Sequence, residues 1–305
     1  MLASITQSAN YKWRVLGTVA VGGRMDMNRE PRRDPVSAIS EAEATGETAQ
    51  IFADIRETMQ LPLITSIWRT LADVDGGLRA AWDGTKPLYV TGQPEASLQK
   101  ILDQSSLPVP EPIVSGQLAC ANVTEEDLPK IRSIVDAYNR SNGMNLLALT
   151  ALVCEPSGTP PNEPLPQPLG AWPTLPTLME KPEIDEATWK LIEHVNSLGL
   201  AVPHSGPIAT IWRHLAQWPG LLAVIHAAFA PLHRDGTIQR SIQLVHSFSQ
   251  AEGARIACLR PEHVEMPDPA REMITGYVAD PEYVTNVVAR GHMLAKWLQT
   301  ADMTG

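Results

Sequence analysis

The sequence predicts an all-α protein made of two related helical repeats of about 130 residues each, joined by a long proline-rich linker. Three observations carry this prediction. Apolar residues recur at helical spacing, the alternating pattern of β-strands and the Asn-Gly turns of hairpins are missing, and a segment of the first half recurs in the second. We expect about ten to twelve helices in total.

The recurring segment is centred on a Trp-Arg pair. Residues 67–72 have the sequence IWRTLA and residues 211–216 have IWRHLA, an offset of 144 residues. Between 64–92 and 208–236, 11 of 29 positions are identical without a gap. A period this long is not that of a solenoid and indicates a duplicated domain. We expect the two copies to pack about a pseudo-twofold axis.

A proline-rich segment separates the two copies. Nine prolines fall within residues 156–182, which excludes helix or central strand and predicts an extended linker. The predicted organisation is an N-terminal tail over 1–40, a first repeat over 41–155, the linker over 156–182 and a second repeat over 183–305. The tail has no continuous apolar stretch of the kind found in secretory signals, so we expect it to be disordered, or the protein to start at Met25 or Met27.

Helix signals can be followed along the chain. Ile51, Ile55 and Met59 lie at four-residue steps, and Thr124 with Asp127 resembles a capping box that opens a helix over 125–139. The remaining helices are predicted over 186–198, 208–216, 221–232, 238–252 and, after an Asp280-Pro281 start, 282–300.

Composition excludes several classes of protein and partner. The chain of 305 residues carries 24 Lys and Arg against 34 Asp and Glu, a net charge of −10, so it lacks the basic stripe that binds nucleic acid. The longest apolar stretch, 221–230, is too short to span a membrane. Cys120, Cys154 and Cys258 lie far apart with no CxxC, which excludes a thiol-pair redox site and a disulfide framework. We expect a reducing, cytoplasmic location.

No sequence motif indicates a metal or a cofactor. All eight histidines lie between His194 and His292, without an HExxH motif or a histidine pair at four-residue spacing. A P-loop, a GxGxxG turn and a GxSxG elbow are also missing. We therefore predict that the protein uses neither a metal nor a cofactor.

The two Trp-Arg pairs allow two interpretations. In the first, Trp68 and Trp212 are core residues, and Arg69 and Arg213 cap helices or pair with acidic residues, so that mutating either arginine mainly lowers stability. In the second, the arginines offer paired donors to a carboxylate. The turns before both motifs place small hydroxyl groups at helix N-termini, which favour anions. Two such N-termini facing each other would form a pocket for a small carboxylate.

Taken in order, the motifs resemble the group I 2-haloacid dehalogenases. The likeness covers residues 41–300. It is carried by a helix ending at Leu61-Pro62, the Trp-Arg-x-Leu-Ala helix closed by Gly76 or Gly77, AYNRSN at 137–142 leading into LLALTAL at 146–152, and a second copy around Gly206-Pro207 and LAQWP at 215–219.

The resemblance implies an all-helical pseudo-dimer whose active site lies between the two halves. In that family an aspartate at a helix start in the second half activates a water. The water attacks C2 of a 2-haloalkanoate directly, which displaces halide with inversion and without an ester intermediate. The substrate implied is a small carboxylic acid, with no nucleic-acid or membrane partner and with a homodimer left open.

Carried over by position, the family's site is only partly retained. Its pocket asparagine falls on Asn142, its neighbouring tyrosine on Asn145, its two first-half aromatics on Leu63 and Ser66, and its catalytic aspartate on Ala209, Thr210 or Ile211. None of the last three can act as a general base, and no carboxylate lies between Glu193 and Asp235. The chain therefore resembles a divergent member that lacks the catalytic aspartate.

Three hypotheses about function follow. The first is a dehalogenase-like hydrolase in which His204 replaces the aspartate as base, since an imidazole with a pKa of about 6.5 can accept a proton from water. The second is a different reaction on a small carboxylate in the same pocket. The third is a catalytically silent paralogue that binds a carboxylate or a protein partner. His204 is alternatively a turn residue held by the backbone.

The site prediction is geometric. We expect Asn142 and Thr210 to line one cavity between the halves, with Leu63, Ser66, Asn145 and His204 close by. Alkylhydroperoxidase-like proteins share the helical character, but their thiol pair is missing from this sequence.

Overall fold

The predicted helices form in the computed structural model, which describes residues 38–114, 116–161, 171–202 and 207–301. The described residues contain no β-strand. They form twelve α-helices: α1 (Gly46–Met59), α2 (Ser66–Leu71), α3 (Gly77–Val90), α4 (Gln93–Ser105), α5 (Gln117–Cys120), α6 (Asp127–Val153), α7 (Glu186–Ser197), α8 (Thr210–His214), α9 (Pro219–Arg234), α10 (Thr237–Ile256), α11 (Asp268–Ala279) and α12 (Asn286–Leu298). None of them is long and apolar enough to cross a membrane.

Several helix boundaries follow from local chemistry. The Asp185 carboxylate caps α7 by accepting the backbone N–H of Thr188 at 2.9 Å. The Thr124–Asp127 pair also forms, with the Thr124 N–H donating to the carboxylate at 3.1 Å. Asp280 accepts the N–H of Glu282 at 2.8 Å, as the predicted helix start requires.

Other boundaries differ from those the spacing predicts. The helix expected over 125–139 continues to Val153, because packing on every side supports its apolar second half. Helix α8 is short and passes into a 3₁₀ turn at Leu215–Gln217. A π-turn over Pro281–Thr285 precedes α12. The apolar spacing does not locate α3, α4 or α11; in α3 the internal Gly84 and Pro87 weaken the helical signal.

Helix α6 is the central element of the fold. Residues 143–152 are all buried, and α3, α4, α10, α11 and α12 pack against the helix. Small residues set the distances between these helices. A Cβ on Gly253 would lie 2.4 Å from a methyl group of Thr150, and a Cβ on Gly291 would lie 2.0 Å from the amide oxygen of Asn139. Asn139 donates to the Gly291 carbonyl at 2.9 Å, which locks α6 onto α12.

The packing partners in the first half recur in the second. Helix α1 packs on α3 and α7 packs on α9, while α4 packs on α6 and α10 packs on α12. Helices with equivalent positions in the two halves also touch, α4 against α10 and α6 against α12. The two halves share one hydrophobic core. The pseudo-twofold relation and the repeat boundaries remain predictions.

The described part of the linker is tied to both halves. The Trp172 indole donates to the carbonyl of Gln60 at the end of α1, at 2.7 Å. Further along, His214 Nε2 donates to the Pro176 carbonyl at 2.7 Å and the Gln217 amide to the Thr177 carbonyl at 2.9 Å. Residues 171–180 therefore cross from one half to the other without forming a helix or strand.

The Trp-Arg pairs belong to the core. Trp68 and Trp212 are both buried, as are Arg69 and Arg213. Arg69 Nε donates to the carbonyl of Ile39 at 2.8 Å, and an Arg213 terminal nitrogen donates to the carbonyl of Met179 at 3.1 Å. Arg69 therefore ties the chain before α1 to α2, and Arg213 ties the end of the linker to α8.

With these contacts, we expect Arg69→Met and Arg213→Met each to lower the free energy of unfolding by about 1–3 kcal/mol, because each change leaves a carbonyl without its charged donor. Urea unfolding measures the loss. Arg79→Met is the control, because Arg79 is an exposed partner of Glu47 and its loss should cost about 0.5 kcal/mol or less. Unchanged stability together with lost carboxylate binding would assign these arginines to a ligand site instead.

Candidate functional site

Asn145, one of the predicted substrate contacts, is the centre of a buried hydrogen-bond network. Its Oδ1 accepts the Trp68 indole N–H at 3.2 Å and the Tyr89 hydroxyl at 2.9 Å, and its Nδ2 donates to Thr65 Oγ1 at 2.9 Å. The Thr65 hydroxyl lies 3.3 Å from that of Ser141. Asn145 is 0% exposed. Its amide is bonded to protein groups on both sides, which fixes its orientation.

An aromatic cluster surrounds this network. The Trp68 ring meets Trp82 edge-on at 5.6 Å between centroids, and Trp82 stacks on Tyr89 at 5.6 Å. The Trp82 indole donates to Asp54 at 2.7 Å. Burial raises the pKa of Tyr89 well above its ordinary value, so its hydroxyl stays protonated and remains a donor to Asn145.

The other predicted residues of the first half are close in the chain to members of this network. Leu63 is buried in the shared core, and Ser66 is the half-buried first residue of α2. Asn142 is half-buried on α6, three residues before Asn145. Side chains three residues apart are neighbours on a helix surface, so Asn142 and Asn145 lie on adjacent parts of α6.

The predicted residues of the second half lie at the start of α8. Ala209 immediately precedes the helix, and its N–H donates to Asn196 Oδ1 at 3.0 Å. Thr210 is the half-buried first residue of the helix, and Ile211 belongs to the core. His204 lies outside the described residues, so its role as base stays a prediction.

Helices α6 and α8 touch where the two halves meet. The rings of Tyr138 and His214 meet edge-on, with centroids 5.8 Å apart. Because His214 Nε2 donates to a carbonyl, its Nδ1 accepts from the Tyr138 hydroxyl, at 3.4 Å. Burial lowers the pKa of His214, which keeps the ring neutral. A cavity shared by Asn142 and Thr210 remains a prediction.

Beside α8 lies a buried cation, and the sequence did not predict it. Arg290 of α12 is 2% exposed. Its Nε donates to Asn286 Oδ1 at 2.6 Å, and its terminal nitrogens donate to the carbonyls of Val195 at 2.5 Å and Asn196 at 3.3 Å. Its guanidinium carbon lies 5.1 Å from the centre of the Trp212 ring. The available signal was an arginine on the apolar stripe of the helix predicted over 282–300.

Burial lowers the pKa of Arg290 to about 9, because no carboxylate compensates its charge within the part of the chain that the structure describes. The neighbouring Trp212 indole N–H is shielded from solvent and meets no acceptor there. Trp68, at the equivalent sequence position, has its N–H satisfied by Asn145. The two tryptophans therefore differ in chemistry: among the described residues, the Trp68 indole N–H has an acceptor and the Trp212 indole N–H has none.

A cavity of about 240 Å³ lies elsewhere, between α4, α6, α12 and the linker. Its lining includes Asp136 and Arg140 on α6, Trp172 in the linker and His292 on α12. Arg140 forms an ion pair with Glu95 of α4. At about 100° per residue, this surface of α6 faces roughly opposite to Asn145. None of the predicted site residues that the structure describes lines this cavity.

The titratable groups of this cavity are perturbed by burial. Burial raises the pKa of Asp136 and lowers the pKa of His292 to about 4, with a further lowering from Lys296. Burial also lowers the pKa of Arg140 to about 10. Among the described residues, no group of three or more His, Cys, Asp or Glu is placed to hold a metal ion.

The network around Asn145 leads to a paired prediction. Asn145→Leu should lower the free energy of unfolding by about 2–4 kcal/mol, because it leaves the buried indole and hydroxyl donors without their acceptor. Asn142→Leu is the matched change on the same helix and should cost about 1 kcal/mol or less while weakening carboxylate binding. Urea unfolding and calorimetric binding measure both variants. A stable Asn145→Leu protein that no longer binds carboxylates would make Asn145 a ligand contact.

His292 makes stability depend on pH. Because burial lowers its pKa to about 4 from 6.5, the unfolded chain binds more protons between these values, and stability falls as the pH drops through this range. His292→Gln should therefore reduce the stability lost between pH 7 and pH 5 by about 1–2 kcal/mol. Urea unfolding at both pH values tests this, with His263→Gln at an exposed position as control. An unchanged loss in the His292 variant would show that this imidazole does not set the dependence.

The chain is similar in sequence to curated dehalogenases. It is 27% identical over 209 residues to a configuration-inverting 2-haloacid dehalogenase of Alcaligenes xylosoxydans xylosoxydans, an alignment that covers 64% of this chain and 69% of that protein. It is 23% identical over 126 residues to a configuration-inverting 2-haloacid dehalogenase of Pseudomonas sp. (strain 113), covering 41% of each. It is 25% identical over 133 residues to an (R)-2-haloacid dehalogenase of Pseudomonas putida, covering 41% of this chain and 44% of that protein.

Solved structures show the same fold. A D-2-haloacid dehalogenase mutant in complex with D-2-CPA matches with a TM-score of 0.67 and 15% identity over 87% of this chain and 95% of that one. A D-2-haloacid dehalogenase with L-LA matches with a TM-score of 0.60 and 17% identity, over 86% of this chain and 92% of that one. No protein-family model matches the chain. Relatives and structures together support the likeness to the 2-haloacid dehalogenases that the motifs indicate.

Proposed function

We propose that the protein is a 2-haloacid dehalogenase-like hydrolase that acts on a small 2-halo, or otherwise 2-substituted, carboxylic acid in a pocket between its two repeats. The observation that carries this proposal is the sequence similarity over 209 residues to an enzyme named as configuration-inverting. The fold shared with D-2-haloacid dehalogenase structures over 87% of the chain supports it.

The reaction is a single displacement. The oxygen of a water molecule attacks C2, the carbon–halogen bond breaks, and the halide leaves with the bonding electrons. A general base takes the proton of the attacking water, and the product is the 2-hydroxy acid. One displacement at C2 inverts its configuration, in keeping with the names of the two relatives described as configuration-inverting.

In this chain the role of general base falls to His204. Ala209, Thr210 and Ile211 carry no basic group, and the sequence has no carboxylate between Glu193 and Asp235. An imidazole with a pKa of about 6.5 is half-neutral near that pH and is a competent acceptor above it. In the sequence, His204 lies about five residues before Ala209, the first of the positions that align with the family's aspartate.

A catalytically silent paralogue is the second candidate. It is favoured by the same sequence observation, because a chain without the family's aspartate has lost its usual means of activating water. In that case the protein would keep a carboxylate pocket and bind a small acid or a protein partner without turnover. The two candidates share the ligand and differ in the chemical step.

Halide release from D- and L-2-chloropropionate and from monobromoacetate decides between them. With His204 as base, the wild-type protein should release halide, and His204→Ala should lower the rate by about 100-fold or more. His263→Ala, at an exposed position, is the control and should leave the rate unchanged.

If the wild-type protein releases no halide, the result would contradict hydrolysis and favour the catalytically silent paralogue. Thr210→Asp then provides the complementary test, because a carboxylate placed at the start of α8 restores a base beside the pocket. Halide release gained in that variant would identify an emptied dehalogenase pocket. Release by the wild type that persists in His204→Ala would retain the activity and reject His204 as its base.

A further inference from the structure

The second half contains a buried positive charge with no counter-charge among the described residues. All three nitrogens of the Arg290 guanidinium donate hydrogen bonds, but their acceptors are an amide oxygen and two backbone carbonyls at the end of α7. These groups carry only partial negative charge. A buried cation compensated by dipoles alone is costly to the folded state, and an anion beside it recovers part of that cost.

A second buried donor lies next to this cation. The Trp212 indole N–H has no acceptor in the described part of the chain, although the side chain is only 2% exposed. Buried donors in folded proteins are almost always paired, so one without a partner requires an explanation. An oxygen anion has what each of the two groups lacks: a negative charge for Arg290 and a hydrogen-bond acceptor for the Trp212 N–H.

The surrounding contacts bring this pair to the start of α8. Asn196 accepts from Arg290 through its backbone carbonyl and from the Ala209 N–H through its side chain, at 3.0 Å. The same amide donates to the Pro207 carbonyl at 3.3 Å. One residue thus joins the end of α7, the entry to α8 and the guanidinium on α12.

We propose that Arg290 and Trp212 bind the carboxylate group of a small monocarboxylic acid beside the first turn of α8. This inference rests on the proposed function and deepens it, because it assigns the substrate's charged end to the second half of the chain. The first half does not offer the same donors, since the Trp68 N–H is already bonded to Asn145. The pocket therefore discriminates by charge, accepting a carboxylate and rejecting its neutral amide.

Binding of propionate and of propionamide tests the assignment, because the two probes have nearly the same shape and differ in charge. Calorimetric titration and the ligand-dependent rise in Tm should both detect propionate and not propionamide, at constant chloride concentration. Trp212→Phe should raise the Kd for propionate by about tenfold or more, as expected for one lost hydrogen bond to a charged group. Arg290→Lys, which keeps the charge but loses the planar set of donors, should raise it comparably.

Trp297→Phe is the matched control. Trp297 is a buried tryptophan on α12 whose N–H donates to the Glu111 carbonyl at 2.9 Å. Trp297→Phe removes the same ring volume as Trp212→Phe and also breaks a hydrogen bond, so it should lower Tm by more. It should leave the Kd for propionate unchanged.

Equal affinity for propionate and propionamide, or an unchanged Kd in both Trp212→Phe and Arg290→Lys, would overturn the assignment. So would a wild-type protein that binds neither propionate nor 2-chloropropionate. Halide release is measured separately. Propionate binding through these residues without halide release would reject the hydrolase and retain the carboxylate site. Halide release with an unchanged KM for 2-chloropropionate in both variants would retain the hydrolase and reject the carboxylate site.

Discussion

The burial of the second half of α6 on every side is the constraint on which the rest of the structure depends. A helical segment that is apolar around its full circumference is stable only when other helices cover all of it. In this protein the cover comes from both halves of the chain, since α3 and α4 pack on one part of α6 and α10, α11 and α12 on another. Any polar side chain on the helix must therefore find its partners inside the protein. Asn139 and Asn145 do so, one through a glycine carbonyl on α12 and the other through an indole, a hydroxyl and a threonine.

The same sequence motif produces two different electrostatic environments. Around Trp68, each neutral donor has an acceptor on Asn145 or Thr65, so this region is ordinary hydrogen-bonded core. Around Trp212, a guanidinium lies over the ring face, and the indole N–H has no acceptor among the described residues. Because both regions are buried, water cannot screen the charge or pair with the free donor, so the two regions remain electrostatically different. A folded chain with a net charge of −10 thus contains a local site of opposite sign, where an anion is favoured by short-range contacts and not by the long-range field.

The sequence was sufficient for the fold class and for much of its anatomy, because apolar spacing, caps and the recurring Trp-Arg segment are local signals. It predicted the buried tryptophans and the start of the last helix. It underestimated the length of α6, because a helical segment covered on all sides has no polar face to mark its continuation. It placed Asn145 in a substrate pocket by position, which stays a prediction. The hydrogen bonds of Asn145 could not be predicted, because they go to residues 56–80 positions away. Arg290 was missed because its environment is made by α7, α8 and α12 together.

The linker between the halves is held mainly through its backbone. Three of its carbonyls, those of Pro176, Thr177 and Met179, accept hydrogen bonds from side chains of the second half. Every residue type supplies the same carbonyl, so most substitutions at these linker positions leave the contacts intact. The residues that donate, His214, Gln217 and Arg213, are not interchangeable in this way. Over evolutionary time the linker is therefore free to drift in sequence while its path across the protein stays fixed.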